Sequence, residues 1–135
     1  MVEEINEYKK VIFIDDDEDL VNVYSNILER KKLSKYLVHF NNAKDSIRYL
    51  ENLKEEELPD YILLDLYMPE MNGFKFLEYV EKKLKKLSEV IEVYVCSSSR
   101  KKDDRYKAMK YPFVEAYLEK PLSSDFIEML IKGYA

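Results

Sequence analysis

The sequence predicts a doubly wound, three-layer α/β sandwich: a five-stranded parallel sheet with helices on both faces. Short apolar runs rich in β-branched and aromatic residues alternate five times with segments whose apolar residues recur at helical spacing. Such alternation calls for long crossovers, which pair the strands in parallel and lay each helix on one face of the sheet. With 135 residues the chain has the size of one domain, able to bury about two thirds of its unfolded surface without staples. It reads as a single domain over 1–135 with a core at about 9–132, because no linker, low-complexity segment or repeat beyond the alternation interrupts it.

The first run, "VIFI" (11–14), is too short for a helix and precedes Leu20, Tyr24, Ile27 and Leu28 on one helical face. "YLVHF" (36–40) precedes Ala43, Ile47 and Leu50, with the Asn pair 41–42 placed to cap that helix. "YILL" (61–64) leads to Phe74, Leu77, Val80, Leu84 and Leu87, read as one helix. The fourth run, "VIEVYVC" (90–96), is followed by a weaker helix near 101–110, where only Tyr106 and Met109 mark a face. "FVEAYL" (113–118) closes the set, followed by Pro121, the capping candidates Ser123 and Ser124, and then Phe126, Ile127, Leu130 and Ile131.

Composition removes several classes of function. A net charge of −5, with both signs interspersed, gives no electrostatic support for binding nucleic acid or an anionic membrane. Cys96 has no second cysteine to bridge and no nearby histidine at metal-binding spacing, so it reads as a buried thiol in a reducing compartment. The N-terminal "MVEEINEYKK" lacks the basic start and apolar stretch of a leader, and no uncharged apolar run nears the ~18 residues of a membrane span, so a cytoplasmic protein is expected. Gly73 and Gly133 are the only glycines, and neither Gly-rich phosphate fingerprint can be written with them.

In doubly wound sheets a ligand sits outside the carboxyl ends of the strands, where the strand order reverses. That edge is where this sequence collects its chemistry: "DDDED" (15–19) after the first strand, Asp65 after the third, "SSS" (97–99) after the fourth, Glu119 and Lys120 after the fifth. Carboxylates sharing a pocket repel one another, so one stays protonated or a cation neutralises them. With a single lysine there, a metal is the better answer, and an oxygen-only ligand set favours a hard cation such as Mg2+. Mg2+, a lysine and a strand-end hydroxyl together suit phosphoryl transfer, with Asp65 as nucleophile.

"VIFIDDDED", "LLDLYMPEMNG", "VYVCSS" and "YLEKP", in this order and spacing, resemble the successive motifs of response-regulator receiver domains, the phospho-accepting half of two-component signalling. An acidic run after a strand is a weak signal, whereas D-x-x-M-P-x-M-x-G, met here from Asp65 to Gly73, is a specific one. The resemblance covers nearly the whole chain and implies a flavodoxin-like strand order of 2-1-3-4-5. It makes Asp65 the phospho-acceptor, Asp16 a direct metal ligand, Asp15 a ligand through water, and the backbone carbonyl of Tyr67 the remaining protein ligand, for Mg2+ or, as an alternative, Mn2+. Ser97 takes the place of the Ser/Thr that binds the phosphoryl group, with Ser98 one residue away as the other choice. Lys120 is the lysine before a cis proline, and Tyr117 is the aromatic switch. Met68 and Pro69 shape the loop beside the acceptor, and Gly73 starts the next helix where a side chain would collide. Tyr67 and Ser99 are placed to tune entry of the water that removes the phosphoryl group.

The resemblance further implies a histidine kinase or histidine phosphotransfer protein as phosphodonor, and a signalling protein that catalyses only its own phosphorylation and dephosphorylation. The chain closes at "IKGYA" directly after the fifth helix, so the output is expected in trans on a downstream protein, by a monomer or a phosphorylation-linked dimer. Tyr106, Tyr111 and Phe113 are the candidates for the partner face, against ordinary core packing. Taken singly, each residue has a plainer reading: Glu18 and Asp19 suit a helix N-terminus, Asp65 a turn, and Lys120, Tyr117 and Ser97 an ordinary surface or strand. His39 reads as structural and away from this edge, and the lysine-rich runs, "RKKDDRYK" (100–107) among them, as solvated helix faces. Two readings compete with a working receiver. One is an Mg2+-dependent aspartyl-phosphate phosphohydrolase, disfavoured because Tyr67 stands where a second acid would be needed and no cap domain is present. The other is a pseudo-receiver that acts by binding alone.

Overall fold

The computed structural model describes residues 8–133. Residues 1–7 and 134–135, which enter the readings of the N-terminus, the chain end and the single domain over 1–135, lie outside the described residues. Five parallel strands form one sheet in the order β2-β1-β3-β4-β5: β1 (Val11–Ile14), β2 (Leu37–Phe40), β3 (Tyr61–Asp65), β4 (Glu92–Ser97) and β5 (Val114–Glu119). The helices are α1 (Glu18–Arg30), α2 (Ala43–Glu51), α3 (Gly73–Lys83), α4 (Lys85–Val90), α5 (Lys102–Met109) and α6 (Ser124–Lys132), with 3-10 turns at Ser34–Tyr36 and Glu55–Glu57.

Strand side chains alternate between the faces. Ile12, Ile14, Ile62, Leu64, Val93 and Val95 share one core with residues of α2, α3, α4 and α5, while Val11, Phe13, Leu63, Tyr94 and Cys96 pack with α1 and α6. The sheet is therefore covered on both sides, which is why its strands read as continuous apolar runs. Cys96 is buried and unpaired, and burial pushes its thiol up to about 12.

Four helix starts are capped as their sequences allow. Asp17 accepts from the Leu20 N–H, Asn42 from Asp45, Asn72 from Lys75 and Ser123 from Phe126. The helix expected from Phe74 to Leu87 is broken: α3 ends at Lys83, Leu84 leaves helical geometry (φ −119°, ψ 56°), and α4 starts at once. An unbroken helix would stack Lys82, Lys83, Lys85 and Lys86 as like charges at three- and four-residue spacing, which is unfavourable. Leu84 and Leu87 still pack against the core across the break, so the apolar spacing gave no sign of it. Val90 correspondingly belongs to α4, and β4 begins at Glu92.

Candidate functional site

β1 and β3 are neighbours whose crossovers depart in opposite directions, toward β2 and toward β4, which opens a crevice at their carboxyl ends. Asp15 follows β1 directly, and its N–H continues the ladder to the Phe40 carbonyl at 3.0 Å. Asp65 is the last residue of β3, Ser97 the last of β4, and Lys120 follows β5 with its N–H on the Ser97 carbonyl at 3.1 Å. The Lys120–Pro121 peptide bond is cis. Behind this edge, the Tyr24 hydroxyl of α1 donates to the Leu122 carbonyl and holds the segment after β5.

Lys120 is the centre of charge. Its Nζ lies 2.6 Å from Asp15 Oδ2 and 3.3 Å from Asp65 Oδ2. Asp15 is 0% exposed, with Oδ1 accepting from the Asp17 N–H at 2.9 Å. Its Oδ2 is paired in charge with Lys120 Nζ and has no other hydrogen-bond donor among the described residues. Burial pushes the Asp65 carboxyl up to about 6; Lys120 opposes the shift, Asp15 adds to it, and the Tyr67 N–H, 3.4 Å from Asp65 Oδ1, resists it. Burial alone would lower Lys120, but its two carboxylate partners outweigh that and raise it.

Asp15, Asp16 and Asp65 each offer an oxygen, all within 4.8 Å of one another, with Asp15 and Asp65 buried and Asp16 exposed. Three carboxylates thus gather where one ammonium, paired with Asp15 and Asp65, supplies the positive charge. An all-oxygen set with surplus negative charge fits a hard divalent cation.

Gly73 opens α3 against the backbone of Asp65 and Leu66. A Cβ there would lie 2.7 Å from the Asp65 carbonyl oxygen and 2.9 Å from the Leu66 Cα, so nothing larger than glycine fits without displacing β3. The loop from Leu66 to Asn72 thereby closes onto the strand end, with the Gly73 N–H on the Leu66 carbonyl at 2.8 Å.

Ser97 is buried beside the acidic pocket, and Ser98 is exposed. The Tyr117 hydroxyl donates to the Ser99 carbonyl at 3.1 Å, which turns it toward the surface loop. Of the three aromatics named for a partner face, Tyr106 is 69% exposed and Tyr111 half-buried, whereas Phe113 is 7% exposed and part of the core. Phe113 therefore drops out of that face, because its ring packs among the residues beneath α5 rather than on the surface.

Two residues had other places than the sequence suggested. His39 belongs to this edge: its Nε2 is 2.7 Å from the Asp15 carbonyl, propping the acidic turn. Asp104, in a run read as solvated, is buried and accepts on Oδ2 from the hydroxyls of Ser99, at 2.6 Å, and Tyr67. Those two hydrogen bonds hold its carboxyl below the usual range, and the same bond raises the Tyr67 phenol. Neither was visible in the chain, since a lone histidine in a strand and an acid in a lysine-rich helix carry no pattern of their own.

Over residues 11–132 the sequence matches the family described as the response regulator receiver domain. It is 32% identical over 126 residues to the response regulator protein VraR of Staphylococcus saprophyticus, covering 93% of this chain and 56% of that protein. To the sensor histidine kinase CheAY of Helicobacter pylori it is 31% identical over 106 residues, covering 76% of this chain and 13% of that protein. The chain thus spans less than two thirds of the length of either relative. A two-component response regulator from Cytophaga hutchinsonii has the same fold, with a TM-score of 0.78 at 23% identity over 92% of this chain and 94% of that one. No helix among the described residues is long and apolar enough to cross a membrane.

Proposed function

This chain belongs to the response regulator receiver family of two-component signalling, and on that premise we propose that Asp65 accepts a phosphoryl group from a phosphohistidine partner in the cytoplasm. The observation that carries the reading is the convergence of Asp15, Asp16, Asp65 and Lys120 from three strand ends onto one pocket. Asp16, Asp65 and the Tyr67 carbonyl would hold Mg2+, or Mn2+ in its place, directly and Asp15 through water, and the bound ion supplies positive charge to the phosphoryl oxygens.

Asp65 attacks in its ionised form, which its carboxyl reaches above about pH 6. A bond from its Oδ to phosphorus forms as the phosphorus–nitrogen bond of the donor breaks, and the electron pair returns to the imidazole. Lys120, held charged by Asp15, stands 3.3 Å from Asp65 Oδ2 and is placed to neutralise a phosphoryl oxygen. The Ser97 hydroxyl then donates to another of these oxygens, and its inward movement frees the space into which Tyr117 turns. The face around α5 and β5, with Tyr106 and Tyr111, would read out this change to a downstream protein in trans, as a monomer or a phosphorylation-linked dimer. The donor would be a histidine kinase or histidine phosphotransfer protein.

Intact mass after incubation with Mg2+ and phosphoramidate is the test. One added phosphoryl group, absent from the Asp65→Asn variant and from metal-free protein, is the expected result. An adduct that persists in Asp65→Asn removes the assignment, and no adduct with any small donor favours a receiver that acts by binding alone.

A further inference from the structure

Ser99 is the node through which the two switch residues touch. Its N–H donates to Ser97 Oγ at 3.0 Å, and its carbonyl accepts from the Tyr117 hydroxyl at 3.1 Å. Any inward shift of Ser97 must therefore draw on Ser99, and any shift of Ser99 alters the acceptor that holds Tyr117. Ser99 is itself tied down: its Oγ donates to Asp104 Oδ2 at 2.6 Å and accepts from the Lys101 N–H at 3.2 Å. Asp104 sits in the first turn of α5, 6% exposed, and its same oxygen accepts the Tyr67 hydroxyl. Tyr67 reaches it from the loop on the other side of the pocket, two residues beyond Asp65.

We propose that Asp104 is a positioning residue for the switch: by accepting from Ser99 and Tyr67 together, it clasps the loops after β3 and β4 and holds Ser97 and Tyr117 in their resting places. The proposal rests on the reading of Ser97 and Tyr117 as the switch pair. Asp104 touches neither the acceptor nor a metal ligand atom; it acts through the two hydroxyls. A carboxylate that takes two hydroxyl donors on one oxygen binds both more strongly than a neutral acceptor would. The phosphoryl group must release this clasp before Tyr117 turns, so its removal shifts the balance toward the switched arrangement before any phosphoryl group arrives.

The test labels the protein with 3-fluorotyrosine and follows the 19F resonance of Tyr117, assigned by its loss in Tyr117→Phe, without phosphodonor. Asp104→Ala is compared with Asp103→Ala, which removes the same charge from the exposed side of the same helix turn, where the side chain bonds to neither loop. Tyr67→Phe, which deletes one hydroxyl of the clasp, is the second variant and serves alone where Asp104→Ala does not fold. Asp104→Ala and Tyr67→Phe are expected to move the Tyr117 resonance in one direction, Asp103→Ala to leave it in place, and labelling by phosphoramidate to speed up by roughly 10-fold, the scale of one hydrogen bond to a charged group.

A Tyr117 resonance in Asp104→Ala and Tyr67→Phe that coincides with wild type and with Asp103→Ala overturns the clasp. The resonance is read without phosphorylation, so it reports on the clasp even where Asp65 takes no phosphoryl group. Conversely, wild-type protein that is labelled and moves Tyr117, beside an unmoved Asp104→Ala, sinks the clasp and leaves the phospho-acceptor reading standing.

Discussion

Asp65 is a carboxylate that its surroundings make costly to ionise. Its carboxyl titrates near 6 in the folded chain, against an ordinary value of 3.8, chiefly through burial. The sign follows from the direction of the shift: the folded state holds this proton more tightly than the unfolded chain, so its stabilising contribution is complete below about pH 4 and is lost as pH rises through 6. In metal-free buffer Asp65→Asn is therefore expected to be more stable than wild type at pH 7.5, by on the order of 2–3 kcal/mol. The difference should shrink toward zero as pH falls to 4, and urea midpoints across that range measure it; a pH-independent difference would mean that Asp65 ionises freely in the fold. The residue's position at a strand end was legible in "YILLD", but its burial and its two partners, Asp15 and Lys120, were not local facts. Asp104 shows the limit more sharply. In sequence it is one acid among lysines, and only the packing of α5 against the loops after β3 and β4 turns it inward.

At the scale of elements, helix ends are where this chain departs from the residues that local physics prefers. α6 stops on Gly133 in the left-handed region, φ 79°, as helices commonly do. α1 stops in the same way on Lys32, φ 60°, with the Lys32 N–H on the Glu29 carbonyl and the Leu33 N–H on Leu28. A side chain there costs roughly 1–2 kcal/mol, of which glycine's greater freedom in the unfolded chain would take back about 0.5–1 kcal/mol. Lys32→Gly is thus expected to stabilise by about 0.5–1 kcal/mol, seen as a higher urea midpoint at unchanged slope. An unchanged or lower midpoint would show that the lysine side chain makes a contribution the backbone does not explain. The caps at Asn42 and Ser123 were readable from their residue types. The break at Leu84 was not, because a single non-helical residue leaves the apolar spacing on either side intact.

At the scale of the whole molecule, the pocket joins segments that are far apart in the chain. Asp15 and Asp16 lie some fifty residues before Asp65, and Lys120 lies as far beyond it. A cation bound there exists as a site only in the folded sheet, so binding is linked to global stability. Mg2+ at about 100 times its dissociation constant is expected to stabilise the protein by about 2.7 kcal/mol. Because protons compete for Asp65, the effect should fade below pH 6. Thermal unfolding with and without Mg2+ at pH 7.5 and pH 5 checks both; a shift retained in full by Asp16→Asn and Asp65→Asn would place the ion elsewhere.

By itself the sequence determined the class of fold, the strands and most helices, and the set of chemical groups at the strand ends. Those follow from periodicity, caps and motifs, all of which are encoded within a few residues of one another. Only the tertiary structure decided which oxygens meet Lys120, that Phe113 belongs to the core, that His39 props Asp15, and that Asp104 ties Tyr67 to Ser99. The physical reason is range. Backbone preferences act along the chain, whereas burial, ion pairing and hydroxyl hydrogen bonds act through space, between residues that only the 2-1-3-4-5 sheet brings together.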